Sequence, residues 1–311
     1  MSFFNFLKDS FFCLIFIFLR LIFIMLGISF FTLLEQKVLG SRQVRIGPFC
    51  SGFLGLLQPF CDALKLYTIN HKFEVYLSTF FLNFSCILYL AFCCFIWNCC
   101  PLHFNLKIEL GFVYILFIMG VRCLPFLFIS WYRNCKYRAL GGLRVVRQLV
   151  SYEVSSAFCF IRICFLWFNL RLLCCTNISI VNAISLLPVL ILFVPSFLAE
   201  RNRTPFDFSE GESELVSGFN TELGGSPFAF CFIGEYISLL FIRFLFCFIF
   251  LSKNLLLAFL LRGLYRFFLV TIRSLLPRFR YDKLIYFCWK FMLPVRVFCF
   301  FYYRCFFFTK I

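Results

Sequence analysis

Long apolar runs separated by short polar stretches dominate this chain. Residues 11–34 hold one charged side chain, Arg20, in 24 positions, and residues 80–100 hold none in 21. A bilayer core needs about 20 predominantly apolar residues per helix. Backbone groups in lipid must be satisfied within the segment, so runs of this length predict helices rather than open strands. The pattern predicts eight spans, at about 11–34, 78–100, 110–131, 148–168, 178–198, 226–250, 254–274 and 284–303. The division between the sixth and seventh is narrow, with only residues 251–253 between them and Arg243, Arg262 and Arg266 nearby. The expected fold is an all-α membrane protein, a single integral membrane domain over residues 1–311.

Two of the predicted loops stand out. Residues 36–77 are long for a connection between spans. Within them, residues 55–66 place Leu57, Phe60, Cys61 and Leu64 on one helical face, with Asp62 and Lys65 to the side. A helix this short cannot span, so it is expected to lie at the membrane surface. The second loop, residues 199–225, packs Glu200, Asp207, Glu210, Glu212, Glu214 and Glu222 together with only Arg201 and Arg203 as cations. Thr204-Pro205 and Gly224-Gly225 make it turn-rich. Such a charge run reads as a solvated face. Its alternation with Phe206, Phe208, Leu215, Val216 and Phe219 points instead to a loop packed against a partner or a ligand channel.

Composition sharpens this picture. Of 311 residues 63% are hydrophobic and 14% charged, too little polar material to coat soluble cores of this size. Sixteen of the 30 Lys and Arg lie in loops on one side of the predicted bundle and six on the other. Basic loops stay inside, so both termini are expected on the outer side. The net charge of +16 is thus a topology signal, and its spread over separate loops argues against nucleic-acid binding. One Lys and one Asp precede the first span without an Arg- and Ser-rich stretch, so no cleavable presequence or signal peptide is expected. The 19 cysteines lack zinc spacing and read as small hydrophobes. Their abundance beside 53 Phe suggests thymine-rich codons, as in some mitochondrial genomes. Two histidines, His71 and His103, fall in loops on opposite sides and cannot ligate two bis-histidine haems. No Gly-rich phosphate loop is present, so neither ATP nor NADH is expected to bind. Asn202-Arg203-Thr204 matches the glycosylation pattern by chance on an inner loop.

Acids within apolar spans are costly and mark ion or proton pathways. Glu153 lies a few residues into the fourth span, Glu235 lies within the sixth, and Glu35 closes the first. The plain alternative for each is a snorkelling or salt-bridged structural acid.

Several motifs together resemble one family, that of NADH dehydrogenase subunit 1, the respiratory complex I membrane subunit beside the peripheral arm. The most specific is Ala199-Glu200-Arg201-Asn202-Arg203-Thr204-Pro205-Phe206-Asp207, continuing from Glu210 through Asn220. Glu35-Gln36-Lys37-Val38-Leu39-Gly40, Arg45-Ile46-Gly47-Pro48, and Gly55-Leu56-Leu57-Gln58-Pro59 with Asp62 and Lys65 are also similar. Ser151-Tyr152-Glu153-Val154 and Pro277-Arg278-Phe279-Arg280-Tyr281-Asp282 complete the set, in family order over nearly the whole chain. The resemblance implies eight transmembrane helices in the mitochondrial inner membrane and a quinone tunnel. The tunnel is shared with the 49-kDa-type subunit and the last iron–sulfur subunit of the peripheral arm. It implies a line of acids leading toward neighbouring antiporter-like subunits, here Glu35, Asp62, Glu153, Glu200 and Glu235. Around the cavity and the subunit interface it implies Asp207, Glu210, Glu212, Glu214, Glu222 and Asp282, with Arg45, Arg203, Arg278 and Arg280 as positive counterparts. Ubiquinone would be the substrate and lipid the surroundings. FMN and the iron–sulfur clusters would reside in partner subunits, with no metal and no redox centre in this chain. Three positions depart from the family pattern. Gln36 stands where Arg is usual, which questions a charge pair there, Leu223 replaces a common Tyr, and Cys135 a common Ser. Two other readings share some features: a docking subunit of an energy-converting hydrogenase, and a freestanding cation or proton transporter.

Overall fold

The structure, a computed structural model, describes residues 2–68, 76–100, 109–132, 135–167, 172, 180–207, 223–250 and 255–308. Helices make up nearly all of it, and no strand occurs among the described residues. In chain order they are α1 (Ser2–Arg42), α2 (Gln58–Thr68), α3 (Tyr76–Ile96), α4 (Gly111–Val121), α5 (Cys123–Trp131), α6 (Lys136–Trp167), α7 (Ile180–Glu200), α8 (Gly225–Phe250), α9 (Leu255–Leu275), α10 (Tyr281–Tyr286) and α11 (Leu293–Phe308). The described residues of each stretch predicted to span lie almost wholly on helix. Among the described residues, five helical stretches are long and apolar enough to cross a bilayer: Ile15–Arg42, Thr79–Cys99, Gly111–Trp131, Gly225–Phe250 and Tyr281–Tyr302, with Leu187–Glu200 a shorter sixth. The chain is an all-α, multi-pass membrane protein.

The helices differ from the hydropathy pattern where backbone chemistry intervenes. At 1.5 Å per residue, the 41 residues of α1 run about 60 Å, twice a hydrocarbon core of about 30 Å, so the helix projects beyond it. The predicted span at 110–131 is two helices that break at Arg122. Pro125 has no N–H to offer the carbonyl of Val121, so the ladder is interrupted there. Helix α6 begins at Lys136, twelve residues before its predicted span, so Lys136, Arg138, Arg144 and Arg147 are helical rather than in a loop. Hydropathy cannot see this extension, because Lys and Arg are good helix formers on a polar face. Between α10 and α11 the chain passes through a π-helix, Phe287–Met292. Pro294 stands two residues beyond it and would clash with the carbonyl of Lys290 in a regular α-turn, which the wider turn avoids.

Packing joins the ends of the sequence to its middle. α3 lies along α8, α5 and α7 lie against α6, and α1 packs on α8 and α9. The α3–α8 approach is tightest at Gly234, where an added Cβ would meet Tyr89 Cε1 at 2.6 Å. Aromatic side chains fill the core, including Phe112, Phe160, Phe193, Phe197 and Phe246. Most of the described cysteines are buried or half-buried free thiols, as small hydrophobes would be. Helix α2 is as expected for a surface helix. None of its residues is buried, and Tyr67 rests edge-on against Phe230 of α8 at 6.2 Å.

Candidate functional site

The site is organised by the end of α7. Asn202 takes a positive φ of 48°. The Asn202 N–H reaches the Ala199 carbonyl and the Arg203 N–H the Leu198 carbonyl, both at 3.2 Å. This is the Schellman pattern, and Asn tolerates its left-handed position better than most residues. The turn sends residues 203–207 back across α6. There Gln148 donates to the carbonyls of Ala199 at 2.7 Å and Phe206 at 2.9 Å. Phe206 stacks on Phe279 at 5.5 Å, and the Phe279 N–H bonds the Pro205 carbonyl at 2.9 Å. Asp207 faces Arg278 at 3.9 Å. The loop that opens the acidic segment is thus fastened to α6 and to the turn before α10.

Two groups of charged side chains meet beside this turn. In the first, Glu35 of α1 is buried and accepts a hydrogen bond from the Tyr236 hydroxyl of α8 at 2.7 Å. Arg273 of α9 stands 3.5 Å from the same oxygen. The Arg203 guanidinium lies 4.5 Å from the centre of the Tyr236 ring. Burial by itself works against the charge of Arg203, but Tyr236, Glu35 and Glu235 outweigh it and hold its pKa above the ordinary arginine value. In the second group, Arg122 at the α4–α5 break pairs with Glu200 at 3.2 Å, both almost wholly buried. Glu153 of α6 is half-buried within electrostatic reach of both. Gly120 makes room for it, since a Cβ there would lie 2.7 Å from Glu153 Oε1. Tyr89 is within electrostatic reach of both Glu235 and Arg122.

Four of the five predicted line acids thus fall in two groups near the turn at 200–203, a short string in which Glu35 and Glu235 interact with Arg203, and Glu200 and Glu153 with Arg122. Asp62 is not brought into it. It lies exposed on α2 and accepts from Gln58 at 2.8 Å. Arg45 is exposed beyond the end of α1, and Arg280 pairs with Asp282 at 3.3 Å on the surface. Glu210, Glu212, Glu214 and Glu222 lie outside the described residues. The departure at Gln36 is met from elsewhere: Gln36 is exposed, and the cation beside Glu35 is Arg273.

A cavity opens next to Glu35, with Arg201, Arg203, Thr204, Arg243 and Arg273 among its polar walls. It offers about 30 Å³ for the centres of water-sized molecules, room for roughly two waters. No group of three or more metal-ligating side chains occurs among the described residues.

Residues 15–304 match the family model described as NADH dehydrogenase. The chain belongs to this family. Its relatives include proteins named NADH-ubiquinone oxidoreductase chain 1 from Aedes aegypti, 42% identical over 89% of this chain and 90% of the relative. Those of Locusta migratoria and Phascolarctos cinereus are each 39% identical, over 91% and 90% of this chain and 92% of each relative. For a member of the NADH dehydrogenase family, Arg122, Tyr89, Tyr236 and Arg273 are the site residues that sequence reasoning missed. Arg122 carried a usable signal, a lone cation inside an apolar span. Tyr236 and Arg273 carried none beyond their neighbours, Glu235 and the inner basic loop.

Proposed function

We propose that this chain is a core membrane subunit of a proton-pumping NADH:ubiquinone oxidoreductase in the mitochondrial inner membrane. It lines the quinone-access channel with the peripheral arm and carries the first part of a carboxylate path from that channel. The observation that carries this reading is the placing of buried Glu35 and Glu200 with half-buried Glu235 and Glu153 near the turn at 200–203, Glu35 beside a cavity also walled by Arg201, Arg203 and Thr204. The names of the relatives support a quinone substrate over a hydrogenase module. In this reading the acidic segment after Asp207 meets the 49-kDa-type and last iron–sulfur subunits, and the far end of the string faces an antiporter-like subunit. Both termini face the intermembrane space.

The cavity beside Glu35 is too small for a quinone headgroup, so in this reading the headgroup chamber is completed by the peripheral arm. FMN and iron–sulfur clusters in those partners supply the electrons, and this chain binds no redox centre. Its contribution is electrostatic. Quinone reduction draws protons as well as electrons, so negative charge appears at the headgroup until protons arrive. Arg203 and Arg273 line the cavity with Glu35 and stand where they favour that charge. A change of charge at Glu35 is felt by Arg203, which also interacts with Glu235, and titrations linked in this way shift together.

The test is rotenone-sensitive NADH:ubiquinone reduction and proton uptake in membranes carrying Glu35→Gln or Glu153→Gln, with assembly followed on native gels. Assembled complexes that lose coupled activity are the expected result. Wild-type reduction and pumping in both variants would return these carboxylates to a structural role and end the proton-path reading.

A further inference from the structure

Glu35, Arg203 and Arg273 reach the cavity from three different elements, and one side chain touches two of them. Tyr236 donates its hydroxyl to Glu35 Oε2 at 2.7 Å and carries the Arg203 guanidinium 4.5 Å from its ring centre. Phe31 at 5.8 Å and Phe232 at 4.6 Å hold the buried ring at tilted angles, so the hydroxyl has a set direction. Hydrogen bonds to carboxylates are short and directional, and this one has the length of a strong member of that class. Arg273 is the weaker constraint on the same oxygen. It is 3.5 Å away and 28% exposed, so it attracts without fixing an orientation.

From this arrangement, and resting on the proton-path reading above, we infer that Tyr236 is a positioning residue. It sets which way the Glu35 carboxylate faces the cavity water and ties that orientation to Arg203. Arg203 in turn sits in the Schellman turn three residues after Glu200, whose carboxylate is held by Arg122. A shift of the loop at 201–207 moves Arg203, and Tyr236 carries that shift to Glu35. The tyrosine is therefore the mechanical link between the segment that opens the acidic loop and the first acid of the string.

The experiment uses the assembled complex in sealed membrane vesicles carrying Tyr236→Phe, Glu35→Gln or both, with ubiquinone as substrate. Tyr236→Phe keeps the ring and its face toward Arg203 and removes the hydroxyl, and with it the hydrogen bond to Glu35 and the hydroxyl's own interaction with Arg203. The expected result is a KM for quinone within about twofold of wild type and a kcat lower by about tenfold. The double variant should be no slower than Glu35→Gln alone, because one residue acts through the other. Wild-type kcat in Tyr236→Phe, or losses that simply add in the double variant, would overturn the inference. An impaired Glu35→Gln beside a normal Tyr236→Phe sinks this inference alone, whereas a Glu35→Gln that reduces quinone and pumps normally sinks the proton path and the inference with it. If Tyr236→Phe does not assemble, infrared difference spectra of the native complex labelled with ring-deuterated tyrosine decide. A tyrosine band that follows quinone reduction and disappears in Glu35→Gln supports the assignment, and the absence of such a band refutes it.

Discussion

Gly120→Ala moves one carboxylate of the string without deleting it. Gly120 lies in α4, two residues before the break at Arg122, and faces Glu153 across the α4–α6 contact. The new Cβ would stand 2.7 Å from Glu153 Oε1 and 3.4 Å from its Cδ. The obstacle is the free end of a flexible side chain, so the carboxylate yields and the helices do not. Turning that side chain away from its rotamer costs about 0.5–1.5 kcal/mol. Replacing a glycine inside a helix by alanine returns about 0.5–1 kcal/mol. The two nearly cancel, and the variant should assemble as the wild type does. Its activity should not survive equally well. The displaced carboxylate leaves its place beside Arg122 and Glu200, and a misplacement of about 1 Å can lower a rate by up to ~10²-fold. Gly120→Ala is therefore expected to reduce coupled quinone turnover by about tenfold or more, with an unchanged band on native gels. Combined with Glu153→Gln it should cost nothing further. Wild-type turnover in a fully assembled Gly120→Ala complex would refute the claim that the position of Glu153 matters.

Two further substitutions test the frame rather than the chemistry. Gly234→Ala places a Cβ 2.6 Å from Cε1 and 2.9 Å from Cδ1 of Tyr89, whose ring is buried and packed 4.5 Å from Phe126. That ring cannot retreat, so overpacking should cost about 1–3 kcal/mol and reduce the yield of assembled complex on native gels. Asn202→Val puts a β-branched residue at a φ of 48° and should destabilise the turn by about 1–2 kcal/mol. Limited proteolysis should then cleave near residues 201–207, while Asn202→Gly keeps wild-type resistance.

Much of this architecture can be read along the chain, because its determinants are local. Residues 11–34 and 80–100 announce membrane helices by length and apolarity alone, and the face shared by Leu57, Phe60 and Leu64 announces the surface helix α2. Proline chemistry broke the pattern in ways hydropathy does not register, at Pro125 and Pro294. The acids Glu35, Glu153, Glu200 and Glu235 were visible as costly residues in or beside apolar spans. Their partners were not, because those contacts are set by tertiary packing. Arg122 and Glu200 are 78 residues apart, and Tyr236 and Glu35 are 201 apart. No periodicity links positions so distant. Asp62 shows the converse: its place in a motif suggested the string, while the exposure of α2 keeps it outside.

The pairing of each acid with a cation also bears on how the string could work. An isolated carboxylate within a membrane bundle is strongly disfavoured in its charged form, and a well-placed guanidinium removes much of that penalty. Glu200 with Arg122, and Glu35 and Glu235 with Arg203 and Arg273, are therefore groups whose charges balance. Balanced groups are quiet until one charge changes. A proton added to Glu35 would leave Arg203 with less to oppose it on that side and strengthen its pull on Glu235. Tyr89 interacts with both Glu235 and Arg122, and its ring is held close against Gly234. The tight contact at Gly234 keeps the Tyr89 ring packed between α3 and α8, so a variant that loosens this interface tests whether that packing matters to turnover as well as to assembly.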